Sequence, residues 1–221
     1  MFKRIQTNSI ASTLALTLLT TATFAQSEIE IKAEIWADNW FALYINEELA
    51  GQDSVPFNTE RSFNSEVFNF TAELPAQAAI IMKDYYENDT GLEYIGNRRQ
   101  QMGDGGLRAQ FKDAKTNLLI EASGHDWQCH VIHQAPLNKE CARSNNPENE
   151  CESLVSEEPK GWMSANFDDS RWNPATVHSS RAVRPHGGYS NIRWEDESEL
   201  IWAEDLEVDN VVLCRFIISE Y

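Results

Sequence analysis

From Glu28 onward the chain reads as short apolar runs broken by turn residues, with little sustained 3.6-residue periodicity. That pattern predicts a mostly β protein. Residues Glu28 to Trp36 put Ile29, Ile31, Ala33 and Ile35 on one phase and Glu28, Glu30, Lys32 and Glu34 on the other, the two-residue period of a strand with one face on a core. Phe41, Leu43 and Ile45 then alternate with Trp40, Ala42 and Tyr44. Asn46-Glu47-Glu48 turns the chain, and Leu49 to Gly51 begins the return. Further runs are Val67 to Phe70, Ala78 to Tyr86, Leu107 to Phe111, Leu118 to Ala122, Trp127 to His133, Leu200 to Trp202 and Val211 to Ile218.

Two long irregular stretches interrupt these runs. The first, Glu87 to Gly106, carries Asn88-Asp89-Thr90-Gly91 and Gly103-Asp104-Gly105-Gly106; the second spans Pro136 to Pro159 and is rich in Asn, Glu and Ser. Long loops on a β scaffold are where ligands are often held, although solvated excursions are as common. No internal repeat or domain boundary is visible. The expectation is an all-β fold, an antiparallel two-sheet sandwich forming one domain over residues 26–221, with loop insertions around 87–106 and 136–160.

Composition adds compartment and partner class. With 35 Asp and Glu against 18 Lys and Arg the formal net charge is −17. A nucleic acid is held mainly by Lys and Arg neutralising phosphates, so such a partner is excluded, and an anionic membrane face is disfavoured for the same reason. Cations, neutral ligands and basic partners remain. Lys3 and Arg4 precede an apolar run from Ile10 to Phe24 that closes on Thr23-Phe24-Ala25. This is the pattern of a secretory leader cut after Ala25; the run falls short of the ~20 residues a bilayer span needs, so no span is expected after its removal. Export to the periplasm or beyond, including the cell surface, follows.

Export also makes the four cysteines candidates for disulfides. Cys141 and Cys151 flank a polar stretch with no apolar pattern to hold itself, which makes a local bridge the easiest pairing and leaves Cys129 with Cys214. The competing reading, a thiolate metal site, lacks any C-x-x-C spacing.

Two stretches carry a resemblance. Ala37-Asp38-Asn39-Trp40-Phe41-Ala42-Leu43-Tyr44-Ile45-Asn46, followed by Leu49 and Gly51, resembles the hairpin of galactose-binding-like jelly-roll modules that accompany many secreted glycoside hydrolases, which reads A-D-x-x-x-x-L-Y-V-N-G. Phe167-Asp168-Asp169-Ser170-Arg171-Trp172, then Leu200-Ile201-Trp202, then the strand ending Arg215-Phe216, is similar to the F-D-D-S-x-W, x-I-W and R-x-F elements of the same modules. Glu47 departs from the family's Gly, and the middle region from Tyr85 to Gly161 has no match. The resemblance covers about a third of the exported chain, and implies a jelly roll and carbohydrate recognition. Asp168, Asp169 and Ser170 also have a structural use, satisfying backbone donors in a turn while Phe167 and Trp172 bury on the sheet. More faintly, an acidic exported sandwich with Trp and His close together is similar to the copper-repressible surface copper-binding proteins of methane-oxidising bacteria, with no residue-by-residue match to their ligands.

Candidate chemistry falls into three groups. The histidines concentrate in His125-Asp126-Trp127-Gln128-Cys129-His130-Val131-Ile132-His133, with His178 and His186 downstream. Imidazole suits copper and zinc. Strict alternation from Trp127 puts His130 and His133 on opposite faces, so a metal site would use His125, on the side of Trp127, joined by His178 or His186. The alternative is scattered surface or hydrogen-bonded core histidines. Glu87, Asp89 and Asp104 could offer hard oxygens to calcium, but no D-x-[DN]-x-[DN]-G loop exists and solvated turns explain them as well.

Aromatic side chains form the third group. Trp40, Tyr44, Tyr85, Tyr86, Tyr94 and Tyr189 sit at strand ends, in loops or on the polar phase of a strand, and are the candidates for exposed rings that stack on a sugar. Trp36, Trp172 and Trp202 are assigned to the core. No G-x-S-x-G, H-E-x-x-H, P-loop or dinucleotide fingerprint occurs, and no carboxylate pair can be singled out for glycosidase chemistry. The functional expectation is therefore an exported, non-catalytic binding protein for carbohydrate, with a copper or zinc protein using the clustered histidines as the alternative.

Overall fold

The computed structural model describes residues 28–57 and 64–219. The expected leader, 1–25, lies outside the described residues. The strands are β1 (Glu28–Asp38), β2 (Trp40–Ile45), β3 (Glu48–Gln52), β4 (Ser65–Glu73), β5 (Ala76–Lys83), β6 (Leu92–Glu93), β7 (Gln101–Met102), β8 (Gly106–Asp113), β9 (Leu119–Ala122) and β10 (Gln128–Gln134). Then come β11 (Leu154–Val155), β12 (Asn173–Pro174), β13 (Thr176–Val177), β14 (Ile201–Trp202) and β15 (Asp209–Ile218). One sheet has the order β13-β14-β8-β1-β4, with β9 beside β8. The other runs β11-β10-β15-β5-β2-β3, with β12 beside β10; all pairings are antiparallel. The two sheets pack as a sandwich, as the alternating runs predict.

The period of two determines what lies between the layers. Ile31, Ala33 and Ile35 of β1 meet Phe41 and Leu43 of β2, Ile80 and Met82 of β5, and Val212, Cys214 and Ile218 of β15, nearly all with no exposed surface. Each such aliphatic side chain contributes about 1.5–3 kcal/mol by leaving water. Trp127 lies flat on Phe216 at 3.7 Å between centroids, closing one end of this core.

The second sheet is apolar on its outer face too. Ala42, Ala79, Ile81, Ile132, Val211 and Leu213 are covered there by Trp162, with Trp40, Tyr44, Tyr86, Met163, Phe167 and Trp172 around the margin. A sheet buried on both faces reads as a continuous apolar run, which is why Ala78 to Met82 shows no alternation. The expected extension of that run to Tyr86 is corrected: β5 stops at Lys83, where Asp84 N donates to Asn210 O and the chain leaves the sheet. On the first sheet, Trp36 is buried under Val183 and Leu200, and Trp202 sits in the inter-sheet core. Trp172, expected inside, is only half-buried, on the outer layer.

Both cystines are as expected. Cys129 and Cys214 are cross-strand partners in β10 and β15 and are bonded across a separation of 85 residues. Cys141 and Cys151, 10 apart, hold the polar stretch, which forms a 3-10 turn at Lys139–Arg143 and a short helix at Pro147–Glu150. Among the described residues no helix is long and apolar enough to cross a membrane.

Candidate functional site

At one end of the sandwich the chain gathers aromatic rings from three segments. Trp40 opens β2 on its outward phase, directly across from Lys83 of β5. Tyr85 and Tyr86 follow β5 immediately, held by the donation of Tyr85 N to Asn39 Oδ1 at 2.6 Å. Phe57, from the turn after β3, stands between them, with its centroid 6.5 Å from Trp40, 6.2 Å from Tyr85 and 5.7 Å from Tyr86, edge to face in each case. The Lys83 ammonium lies 5.1 Å from the Trp40 ring centroid and 5.3 Å from that of Phe57, within cation–π range.

Beyond Tyr86 the cluster turns polar. The His133 ring stacks on Tyr86 at 4.3 Å, almost parallel. Asn210 Nδ2, fixed as a donor by the carbonyls of Ala135 and Val208, lies 3.2 Å from His133 Nδ1, which leaves the ring proton on Nε2 toward Asp89 Oδ1 at 3.6 Å. Burial lowers the His133 pKa, opposed by the Asp89 carboxylate. Tyr86 is pushed up by burial and by the charges of Asp89 and Asp84, so its hydroxyl stays a donor at neutral pH. Asp89 also borders a depression of about 370 Å³ lined by Asn88, Thr90, Glu148 and Ser153. A platform of rings beside fixed donors and acceptors suits a ligand with an apolar face and a hydroxylated edge.

Of the six predicted aromatics, Trp40, Tyr85 and Tyr86 come together here, and Tyr44 lies four residues along the same face of β2. Tyr85 was expected exposed but is buried, its ring forming the floor of the cluster rather than its surface. Tyr94 is elsewhere, under the Arg99 guanidinium. Tyr189 is structural: it packs edge-on to Trp36 and accepts from Arg108 Nη1 at 2.6 Å. Sequence reasoning missed Phe57, Lys83 and His133 as members. Lys83 was visible in principle, because antiparallel pairing of β2 with β5 sets it opposite Trp40; Phe57 in a Pro-containing turn gave no signal.

The histidine site does not form. Trp127 is fully buried and donates to Glu121 Oε1 at 3.1 Å, which removes it as a ligand. His125 is exposed in the turn before β10, His178 Nε2 is 2.8 Å from Ala203 O, and His186 Nδ1 is 3.3 Å from Arg184 O. Among the described residues no three His, Cys, Asp or Glu side chains are arranged to hold a metal ion. The trio Glu87, Asp89 and Asp104 separates as well: Glu87 accepts from Ile95 N, Asp89 faces His133, and Asp104 faces Arg184.

The opposite-face reading of His130 and His133 is also corrected. A register shift between Val131 and His133 inserts an extra residue into β10, so His130 stacks on Trp172 and His133 on Tyr86, both rings of the outer layer. No family model, curated protein or solved structure matches this chain.

Proposed function

We propose that this chain is an exported, non-catalytic carbohydrate-binding protein, and that a sugar ring seats on the platform of Trp40, Phe57 and Tyr86. The observation that carries this reading is the convergence of those rings, from three segments, beside the Lys83 ammonium and the polar edge formed by Asp89, Asn88 and Thr90. Stacking on the apolar face of a pyranose and hydrogen bonds to its hydroxyls divide the work in the way small-ligand sites usually do. The resemblance of the Ala37–Asn46 hairpin and the Phe167–Trp172 turn to galactose-binding-like modules supports the same substrate class.

Affinity electrophoresis of the oxidised protein through gels containing a panel of neutral and acidic polysaccharides tests the proposal. At least one glycan should retard wild type, and Trp40→Ala or Tyr86→Ala should weaken that retention tenfold or more, while Tyr189→Phe leaves it unchanged. Uniform migration through every glycan, or retention indifferent to Trp40→Ala, would remove the reading.

A further inference from the structure

Beneath the aromatic platform lies a group of carboxylates that sugar recognition does not use. Asp38 ends β1 on the face that carries Trp36, and Asp84 follows β5; their side chains are 1% and 0% exposed. Among the described residues, none of their four carboxylate oxygens has a hydrogen-bond partner. The Tyr85 N–H, which follows Asp84 in the chain, is committed to Asn39 Oδ1. Gly103 packs so tightly on Asp84 that any β-carbon there would overlap the carboxylate, so the 103–106 loop closes over the pair.

Among the described residues, no Arg, Lys or backbone N–H donates to either carboxylate. Buried carboxylates are normally met by Arg, Lys or several backbone N–H groups. Here the added neighbours are more negative charge: Asp104 and Glu93 both act on Asp38 and on Asp84. Among the described residues, Arg184 and His186 act on Asp104 rather than on the pair, the mostly exposed Arg184 guanidinium lying 3.7 Å from the Asp104 carboxylate. Burial first, and then these like charges, push the Asp38 and Asp84 carboxyls well above the usual carboxylate range, with only the nearby Tyr85 N–H acting the other way on Asp84. Without a counter-charge such a pair holds protons; a cation bound between the two carboxylates displaces those protons and meets both groups at once.

We propose that Asp38 and Asp84 bind a buried divalent cation, calcium being the best chemical match, with Glu93 and Asp104 strengthening the site through their charge. All-oxygen donors and flexible loop ligands suit calcium over zinc or copper. Because no third carboxylate stands in a ligating position, the remaining bonds come from backbone carbonyls and water, as calcium commonly accepts. The proposal is independent of the glycan reading, since it concerns groups buried behind the platform.

The experiment uses the oxidised full chain, stripped with EGTA and titrated with CaCl2 by calorimetry and by thermal unfolding. Calcium should bind at one per chain and, at a hundred times its dissociation constant, raise the melting temperature by about 5–10 °C. Asp84→Asn should abolish both signals. Its metal-free melting temperature should at least equal that of stripped wild type, because an amide carries no cost of ionisation in a buried site next to like charges. Asp104→Asn, which keeps the aspartate pair, should weaken calcium several-fold and guards against a poorly folded Asp84 variant. Absence of a calcium isotherm and of any calcium-dependent melting shift in wild type overturns the site. A shift of equal size with MgCl2 at equal concentration overturns the assignment to calcium.

Discussion

Arg215 Nε donates to Asp169 Oδ2 at 2.7 Å, joining the Arg215-Phe216 element to the third residue of the Phe167–Trp172 motif, 46 positions away in the chain. The guanidinium, 3% exposed, also donates to the carbonyls of Trp162 and Ser164 and to Gln77 Oε1, and lies 5.3 Å from the Phe167 ring centroid. Arg215 thus fastens the 162–172 segment over the outer face of the second sheet, where Trp162 covers Ala79, Ile81 and Leu213. Asp168, beside it, satisfies Ser170 N at 3.1 Å, as its sequence context suggested. One aspartate shapes the turn and the other anchors it.

Removing that anchor should be costly. Asp169→Ala leaves a buried guanidinium short of its counter-charge, a change worth about 3–5 kcal/mol in fully buried pairs; Asp169 is about a third exposed, so about 2–3 kcal/mol is expected. Denaturant unfolding with an unchanged m-value would measure it. A loss below about 0.5 kcal/mol would mean the carbonyl acceptors alone hold the arginine.

The hairpin between β2 and β3 carries a correctable strain. Asn46 and Glu47 both have positive φ, 48° and 71°, the paired left-handed geometry of a tight two-residue turn, and Ile45 pairs with Glu48 across it. Asn tolerates that region and its Oδ1 accepts from Gln77 N, whereas Glu47 gains nothing from it. Glu47→Gly should stabilise the protein by about 0.5–1 kcal/mol, a rise of about 1–4 °C in melting temperature. Calorimetry on the variant, with Glu48→Gly as the strand control expected to destabilise, decides it.

The two cystines should differ in worth. Chain-entropy reasoning assigns about 4–5 kcal/mol to a closure of 85 residues and about 2.5–3 kcal/mol to one of 10. Replacing Cys129 and Cys214 together by Ala should therefore lower stability more than replacing Cys141 and Cys151. Equal losses in urea unfolding would show that the short bridge has a role beyond closing its loop.

Mild acid should weaken the end of the sandwich that bears the aromatic platform. Burial keeps His133 neutral in the fold below the pH at which an unfolded His takes up its proton, about 6.5. Between the lowered folded pKa and about 6.5 the unfolded chain binds more protons than the native one. This contribution is fully present above pH 6.5 and is lost as the pH falls below it. The difference in unfolding free energy between wild type and His133→Gln should shrink from pH 7.5 to 5.5; a pH-independent difference would mean that protonation is not coupled to the stack on Tyr86.

Much of the frame was readable from residue pattern. The alternation of Ile31, Ala33 and Ile35 and of Phe41, Leu43 and Ile45 identified strands and their inner faces, because adjacent side chains on a pleated strand must point to opposite sides. The cystine pairing followed from spacing and from the lack of apolar support around Cys141 and Cys151. The site was half visible: Trp40 and Tyr86 stood out, while Phe57 and His133 did not. His133 was misdirected by the extra residue at the β10 bulge, which a strict two-residue count cannot contain.

Local steric rules and composition, then, were enough to determine an acidic β sandwich stapled by two cystines. What the tertiary structure decided was which residues become neighbours. Trp162 covers an apolar sheet face that no nearby residue announces, and Asp38 and Asp84, ordinary surface acids by type, end up buried with no hydrogen-bond partner among the described residues. The reason is physical: the direction of a side chain is a property of its own backbone, but burial and charge environment depend on segments that arrive from 46 or more positions away.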